Sequence, residues 1–78
     1  SEDRVEDIIE DRDTARRIRA ILENMQEPYK EVFSLRTFGE LSFKQIGDLF
    51  EKTENWARVT FYRCKNKINE RWREKYDH

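Results

Sequence analysis

Apolar residues recur at helical spacing along most of the chain. Near the C-terminus, one apolar stripe steps by three or four residues, and its members are Ala57, Phe61, Cys64, Ile68 and Trp72. Two shorter sets precede this stripe. The first is Ala15, Ile18, Leu22 and Met25, and the second is Phe43, Ile46, Leu49 and Phe50, which is predicted to give one buried face. The pattern predicts an all-α fold, a small four-helix domain with helices over residues 14–25, 28–38, 43–50 and 54–75.

Helix-capping residues mark the starts of the last two helices. Ser42 followed by Gln45 has the sequence of a capping box. Thr53 suits an N-cap, and Glu54 in the first turn suits the helix dipole. The two helices and their short connection predict a helix-turn-helix whose second helix runs well past the motif. Gly47, inside the first of them, indicates that another helix passes close by.

The second helix carries more apolar residues than one narrow stripe can hold. They are Tyr29, Val32, Phe33, Leu35 and Phe38. Either this helix is buried on two sides, or one side is left for a partner, in which case some of the five stay partly exposed. Pro28 is predicted in its first turn, and Gly39 is predicted to supply the left-handed residue after its end.

The N-terminal segment is acidic. Residues 1–13 carry seven acids and two bases, and this composition favours an acidic linker, or the mobile start of a helix, over one long helix from the first residue. Residues 14–78 are then predicted to form a single domain. The ARRIR sequence near the start of that domain has the charge to contact phosphate, although a solvated helix face is the simpler interpretation.

Charge is uneven although the 78-residue chain has a net charge of only −1. Residues 1–27 carry a net −4 and residues 55–78 a net +4, so the positive charge lies on the last helix. The single cysteine excludes an internal disulfide and fits a reducing, cytoplasmic compartment. No apolar run reaches the roughly 18 residues of a membrane span, so no membrane contact is expected.

Residue patterns typical of catalysis are absent from the sequence. There is no glycine-rich phosphate loop, no paired-cysteine metal site, and no nucleophile with a plausible base. His78 is the only histidine and is terminal, and Cys64 lies on the inward stripe, where a cysteine is usually a small buried hydrophobe. We therefore expect that the protein is not an enzyme, and that it has no catalytic residue, metal site, cofactor or small-molecule substrate.

Three stretches in register, EPYKEVFSLRTF, LSFKQIGDLF and TENWARVTFYRCKNKI, resemble region 4 of bacterial sigma factors of the extracytoplasmic-function group. The similarity covers residues 25–68. Met25-Gln26 stands where Leu-Pro is typical of the group, and Glu51-Lys52 where Gly-Ile is common. The resemblance implies a domain that recognises the −35 promoter element while attached to RNA polymerase. It also implies docking on the flap of the polymerase β subunit and capture by an anti-sigma factor.

In a helix-turn-helix, the start of the second helix enters the major groove. Asn55 can pair with adenine and Arg58 with guanine or phosphate, whereas Trp56 either packs on thymine methyls or packs against the preceding helix. The candidate DNA-binding residues are Ser42, Lys44, Thr53, Asn55, Trp56, Arg58, Val59, Thr60, Tyr62, Arg63, Lys65 and Lys67. Among these, Val59 and Thr60 suit thymine methyls, and those from Tyr62 onwards suit phosphates. The candidate partner-binding residues are Tyr29, Val32, Phe33, Leu35 and Phe38.

Two other functions fit the same residues. The domain could be a protein-interaction module whose second helix forms a groove for a partner helix. It could also be the DNA-binding domain of another helix-turn-helix regulator, although the match upstream in EPYKEVFSLRTF and the long last helix argue against this. In either sigma-factor or regulator form, double-stranded DNA is the expected partner.

Overall fold

The computed structural model describes residues 11–77. It contains four helices, α1 (Arg12–Glu23), α2 (Tyr29–Thr37), α3 (Phe43–Leu49) and α4 (Glu54–Tyr76), and no strand within the described range. This confirms the predicted all-α fold, and each helix end lies within two residues of its predicted position. Most of the predicted linker over residues 1–13 lies outside the described residues, but its last two residues belong to α1.

The long helix α4 is the element on which α1, α2 and α3 all pack. The buried core contains Ile18, Ile21, Leu22, Met25, Val32, Phe33, Ile46, Ala57, Phe61, Cys64 and Ile68. Phe61 lies at its centre, with its ring stacked on Phe33 at 5.2 Å between centroids. The predicted inward stripe of α4 is therefore confirmed, with Trp72 half-buried at its end. One core residue, Ile21, was missing from the apolar set predicted for α1.

The arginines of α1 contact neighbouring side chains. Arg17 pairs with Asp13 at 3.1 Å and places its guanidinium carbon 4.8 Å from the centroid of the Tyr76 ring on α4. Arg19 lies over the Phe38 ring at 4.3 Å. These contacts join α1 to the ends of α4 and α2, so part of the ARRIR charge is engaged within the domain.

The predicted caps are present. The Ser42 hydroxyl accepts a hydrogen bond from the Gln45 amide at 3.0 Å, and the Gln45 side chain accepts one from the Ser42 amide at 2.8 Å. Thr53 accepts from the amide of Trp56 at 2.9 Å. Each cap satisfies amides that the first turn of a helix leaves without partners, so the positions where α3 and α4 begin are encoded locally.

Gly47 faces the backbone that leads into α4. A Cβ atom on this residue would lie 2.6 Å from the carbonyl oxygen of Thr53 and 3.0 Å from that of Lys52. The predicted close approach is present, but the neighbour is the backbone of the connection that leads into α4 and not another helix. Because Gly47 must face this backbone, the contact also fixes the rotation of α3 about its own axis. Successive residues then lie about 100° apart around the helix.

That orientation makes the predicted burial of Leu49 wrong. Leu49 is 62% exposed, whereas Ile46 and Gly47 are buried and Phe43 and Phe50 are half-buried. Two residues beyond Gly47, Leu49 lies about 160° away around the helix. The contact of Gly47 with the backbone of Lys52 and Thr53, rather than the spacing of apolar residues, determines which face of α3 is buried.

The left-handed residues also differ from those predicted. Gly39 does not have a positive φ, and Glu40 takes the left-handed conformation after α2 with φ 58°. Gly39 is needed for space instead, since a Cβ there would lie 2.7 Å from the Leu35 carbonyl oxygen. In the helix-turn-helix, Glu51 has φ 57°. The substitution of Glu51 for a typical glycine therefore leaves the chain in a glycine-like conformation.

Candidate nucleic-acid interface

The first two turns of α4 present a mixed polar and apolar surface. Asn55, Arg58 and Val59 are exposed, while Ala57 and Phe61 are buried on the opposite side. Since Phe61 packs on Phe33 of α2 and Phe43 of α3, the exposed side chains start from a backbone that is fixed by the core. This arrangement suits a helix that inserts its outer face into a groove of DNA.

Thr60 does not belong to this surface. It is only 5% exposed, so the prediction that its methyl group contacts thymine is wrong. The reason is angular, because Thr60 follows Ala57 by three residues and lies about 60° from it around the helix. The inward face of α4 is wide enough to include it.

Arg58 is held by two neighbouring side chains. Its Nη2 atom lies 2.9 Å from the Glu54 carboxylate, one turn earlier on α4. Its guanidinium carbon also lies 5.2 Å from the centroid of the Phe43 ring on α3. The guanidinium is thus placed before any DNA arrives, although half of the side chain remains accessible to solvent.

Phe43 receives a second guanidinium, that of Arg36 on α2, at 4.5 Å. Arg36 also donates a hydrogen bond to the carbonyl of Leu41 at 3.2 Å. The Phe43 ring packs edge-to-face on Phe61 at 5.5 Å, which ties the ring to the core. Arg36 was not predicted as part of the site, because its contact crosses from α2 to α3 and leaves no pattern in the sequence.

Trp56 packs on the preceding helix while keeping part of its surface accessible. Its ring centroid lies 5.3 Å from that of Phe50, the C-cap residue that follows α3. Thr53, which caps α4 through the Trp56 amide, is exposed. The packing interpretation of Trp56 is therefore correct, and its half-buried state leaves an edge for DNA.

The residues predicted to bind phosphate are spread along α4. Arg63 and Lys67 are exposed, and Tyr62 and Lys65 are half-buried. Lys65 lies 5.6 Å from the Tyr62 ring, and Lys67 lies 5.2 Å from the Tyr29 ring on α2. These cations flank the outer face instead of continuing it, which suits contact with the DNA backbone more than with bases.

Ser42 and Lys44, at the start of α3, are both exposed. The Ser42 side chain accepts the capping hydrogen bond from Gln45, so its oxygen already has a partner within the domain. Lys44 extends from the first turn of α3, the same end of the helix as Phe43 and the two arginines that contact it. Lys44 is therefore a third cation near the start of α3, in addition to Arg36 and Arg58.

The candidate partner-binding residues divide into two groups. Val32 and Phe33 have no exposed surface, so the prediction that they bind a partner is wrong for the folded domain. Tyr29, Leu35 and Phe38 are half-buried, which confirms that part of the apolar set stays accessible. Phe38 also lines an open groove of about 560 Å³ beside α1, with arginines at its rim.

Cys64 is fully buried, as predicted. Its burial raises the pKa of the thiol to about 12, because a thiolate would lose its hydration in the core. The thiol is therefore protonated near neutral pH and cannot act as a nucleophile. Within residues 11–77, no group of three or more His, Cys, Asp or Glu side chains is arranged to hold a metal ion.

Comparison with known families gives a match over most of the described helices. The family described as Sigma-70, region 4 matches residues 15–68, which is more than half of the chain and includes α2, α3 and the part of α4 that carries the site. Searches of curated proteins and of solved structures found no match. None of the helices in the described part of the chain is long and apolar enough to cross a membrane.

Proposed function

This chain belongs to the sigma-70 region 4 family, which recognises the −35 promoter element and binds RNA polymerase, and we propose that it reads that element with the first two turns of α4. The observation that supports the proposal is the exposure of Asn55, Arg58 and Val59 on one side of a helix whose other side is packed. This is the end of the recognition helix that meets base edges in a helix-turn-helix.

Each of the three exposed side chains suits a different feature of the major groove. The Asn55 amide can donate to and accept from adenine, the Arg58 fork can donate twice to guanine, and Val59 can pack on a thymine methyl. Trp56 offers its accessible edge beside them. Good bidentate pairs contribute about 1–3 kcal/mol to the choice of base, so the choice rests mainly on Asn55 and Arg58.

Phosphate contacts are assigned to the cations around this centre. Lys44 at the start of α3, and Arg63, Lys65 and Lys67 on α4, hold the DNA backbone and set the register of α4 without reading sequence. With few such contacts and acidic surroundings, the domain alone binds DNA weakly. Attachment to polymerase supplies the missing affinity, since a tethered domain meets its site at a high effective concentration.

Substitution of the two kinds of contact should have different effects. Asn55→Ala or Arg58→Ala should weaken binding to the preferred −35 element by about 1–3 kcal/mol and relax the choice of base at one or two positions. Arg63→Ala should weaken binding to all sequences alike and reduce the slope of log K against log[salt] by about one. The measurement is binding and transcription by polymerase that carries the complete protein, on promoters with matched and scrambled −35 elements.

Arg73→Ala is a matched control for Arg63→Ala. It removes the same charge from an exposed position on α4, but 18 residues beyond Asn55, or roughly 27 Å along the helix. It should change neither the salt slope nor the base preference. If Asn55→Ala and Arg58→Ala both leave −35 discrimination intact, α4 does not read bases in this way, and the interaction-module function becomes the better explanation.

For the polymerase contact, we propose docking on the β flap through the accessible apolar residues of α2 and its C-cap, which are Tyr29, Leu35 and Phe38. Phe38 supports this proposal because it lines the open groove beside α1, where the Arg19 guanidinium lies over its ring. Phe38→Asp should reduce flap binding at least about tenfold, since it places a charge in an apolar contact, while the helical content stays unchanged. Binding of the purified flap to the complete protein measures this directly.

Leu49→Asp is the control for that experiment. It introduces the same charge at an apolar residue that is more exposed than Phe38 and lies on α3, so flap binding should be unchanged. Equal flap binding by the Phe38→Asp variant and the unsubstituted protein would place the docking surface elsewhere. We also propose that the protein is of the extracytoplasmic-function group, acts in the cytoplasm and is captured by an anti-sigma factor, on the basis of the three stretches that resemble that group.

A further inference from the structure

An acidic side chain lies next to Arg58 in the proposed DNA-reading surface. Glu54 is the first residue of α4, and its carboxylate is about half exposed and 2.9 Å from Arg58 Nη2. A negative charge at this position repels approaching phosphates. An acid in the first turn of α4 suits the helix dipole, and an exposed pair one helical turn apart contributes little to the stability of the fold, so any larger role of Glu54 lies in its effect on DNA binding.

The same carboxylate fixes the position of the Arg58 guanidinium. The Arg58 guanidinium contacts the Glu54 carboxylate, and its carbon lies 5.2 Å from the centroid of the Phe43 ring. These two contacts hold the guanidinium beside the outer face of α4. A guanidinium carries five N–H donors in a rigid plane. Glu54 can therefore keep its hydrogen bond while two other N–H groups meet the acceptors of one guanine.

We propose that Glu54 is a positioning residue that makes Arg58 selective for a base. This inference rests on the proposed base-reading role of α4. Without the carboxylate, the arginine is free to turn to the nearest phosphate, which every DNA sequence offers. With it, turning to a phosphate breaks an ion pair and brings Glu54 towards the anionic backbone, so contact with a base is favoured.

The test is Glu54→Gln in the complete protein bound to polymerase, with DNA fragments in which each −35 position is varied in turn. Base discrimination at one position should fall about fivefold, and binding to scrambled DNA should become about two- to threefold tighter at low salt. The salt slope should steepen by about one, as expected if Arg58 now contacts a phosphate.

Two variants separate pairing with Arg58 from other effects of the substitution. Glu54→Asp should keep most of the discrimination, because Asp13 and Arg17 already form an ion pair at the same spacing on α1, at 3.1 Å. Glu70→Gln removes an equal charge from an exposed site four turns further along α4. It should leave discrimination and salt slope unchanged, and thermal melting of each variant reports on folding.

Combination with Arg58→Ala decides the mechanism. If Glu54 acts through Arg58, Glu54→Gln should have no further effect on base choice in the Arg58→Ala background. Relaxed base choice that persists there would overturn the proposal, as would unchanged discrimination in Glu54→Gln or equal losses in Glu54→Gln and Glu54→Asp. If Arg58→Ala relaxes base choice and Glu54→Gln does not, the role of Glu54 is refuted while the base-reading function stands.

Discussion

Replacement of Phe61 by alanine should lower the free energy of unfolding by about 3–5 kcal/mol. For a domain of this size, the total is on the order of 5 kcal/mol, so much of the protein should be unfolded. The Phe61 ring is 5% exposed and contacts the rings of Phe33 at 5.2 Å, Phe43 at 5.5 Å and Tyr62 at 5.1 Å. Truncation to alanine would leave a cavity where α2, α3 and α4 meet.

Urea unfolding followed by far-ultraviolet circular dichroism measures this loss. Leu49→Ala is the matched control, because it makes a similar large-to-small change in a helix at a position that is 62% exposed. It should change stability by less than about 1 kcal/mol. Similar losses in the two variants would show that Phe61 is not the centre of the core.

The helices and their boundaries were predictable because their signals are local. The capping residues Ser42 and Thr53 fix where α3 and α4 begin, and both caps are present. The inward stripe of α4 was also predictable, since a helix that packs on three others over its length must repeat apolar residues at its own period. These features need no knowledge of the neighbouring helices.

The errors come from contacts between elements. Leu49 fits the helical spacing of α3 but is exposed, because the contact of Gly47 with the backbone at the start of α4 sets how α3 is turned. Thr60 has a polar side chain but is buried, because the face of α4 covered by the other helices is wider than a one-residue stripe. Spacing within one helix does not contain either fact.

The candidate site shows the same division. Exposure of Asn55, Arg58 and Val59 followed from the inward position of Ala57 and Phe61 on the same helix. The sequence did not predict that Arg36 and Arg58 both contact the Phe43 ring, because these contacts join side chains of three helices. The pair between Glu54 and Arg58 has the right spacing in the sequence, but its place in the site becomes visible only beside Phe43.

The position of the recognition helix should depend strongly on Gly47. Gly47→Ala replaces glycine by a better helix former, which by itself would stabilise α3 by about 1 kcal/mol. The new Cβ, however, would lie 2.6 Å from the Thr53 carbonyl oxygen and 2.8 Å from the Thr53 carbonyl carbon. These are backbone atoms of the residue that caps α4, so the clash is relieved only if α4 and α3 move apart.

We expect Gly47→Ala to destabilise the domain by about 1–3 kcal/mol despite the gain in helix propensity. We also expect −35 discrimination to fall more than stability alone explains. Asn55 and Arg58 lie in the first two turns of α4 after Thr53, and the hydrogen bonds that we propose they make to bases would tolerate displacements of only a few tenths of an ångström. Asp48→Ala is the control, since it changes the next, exposed residue of α3 and should alter neither property. A Gly47→Ala variant that melts at or above the temperature of the unsubstituted domain, with base choice intact, would show that the contact between Gly47 and Thr53 does not set the position of α4.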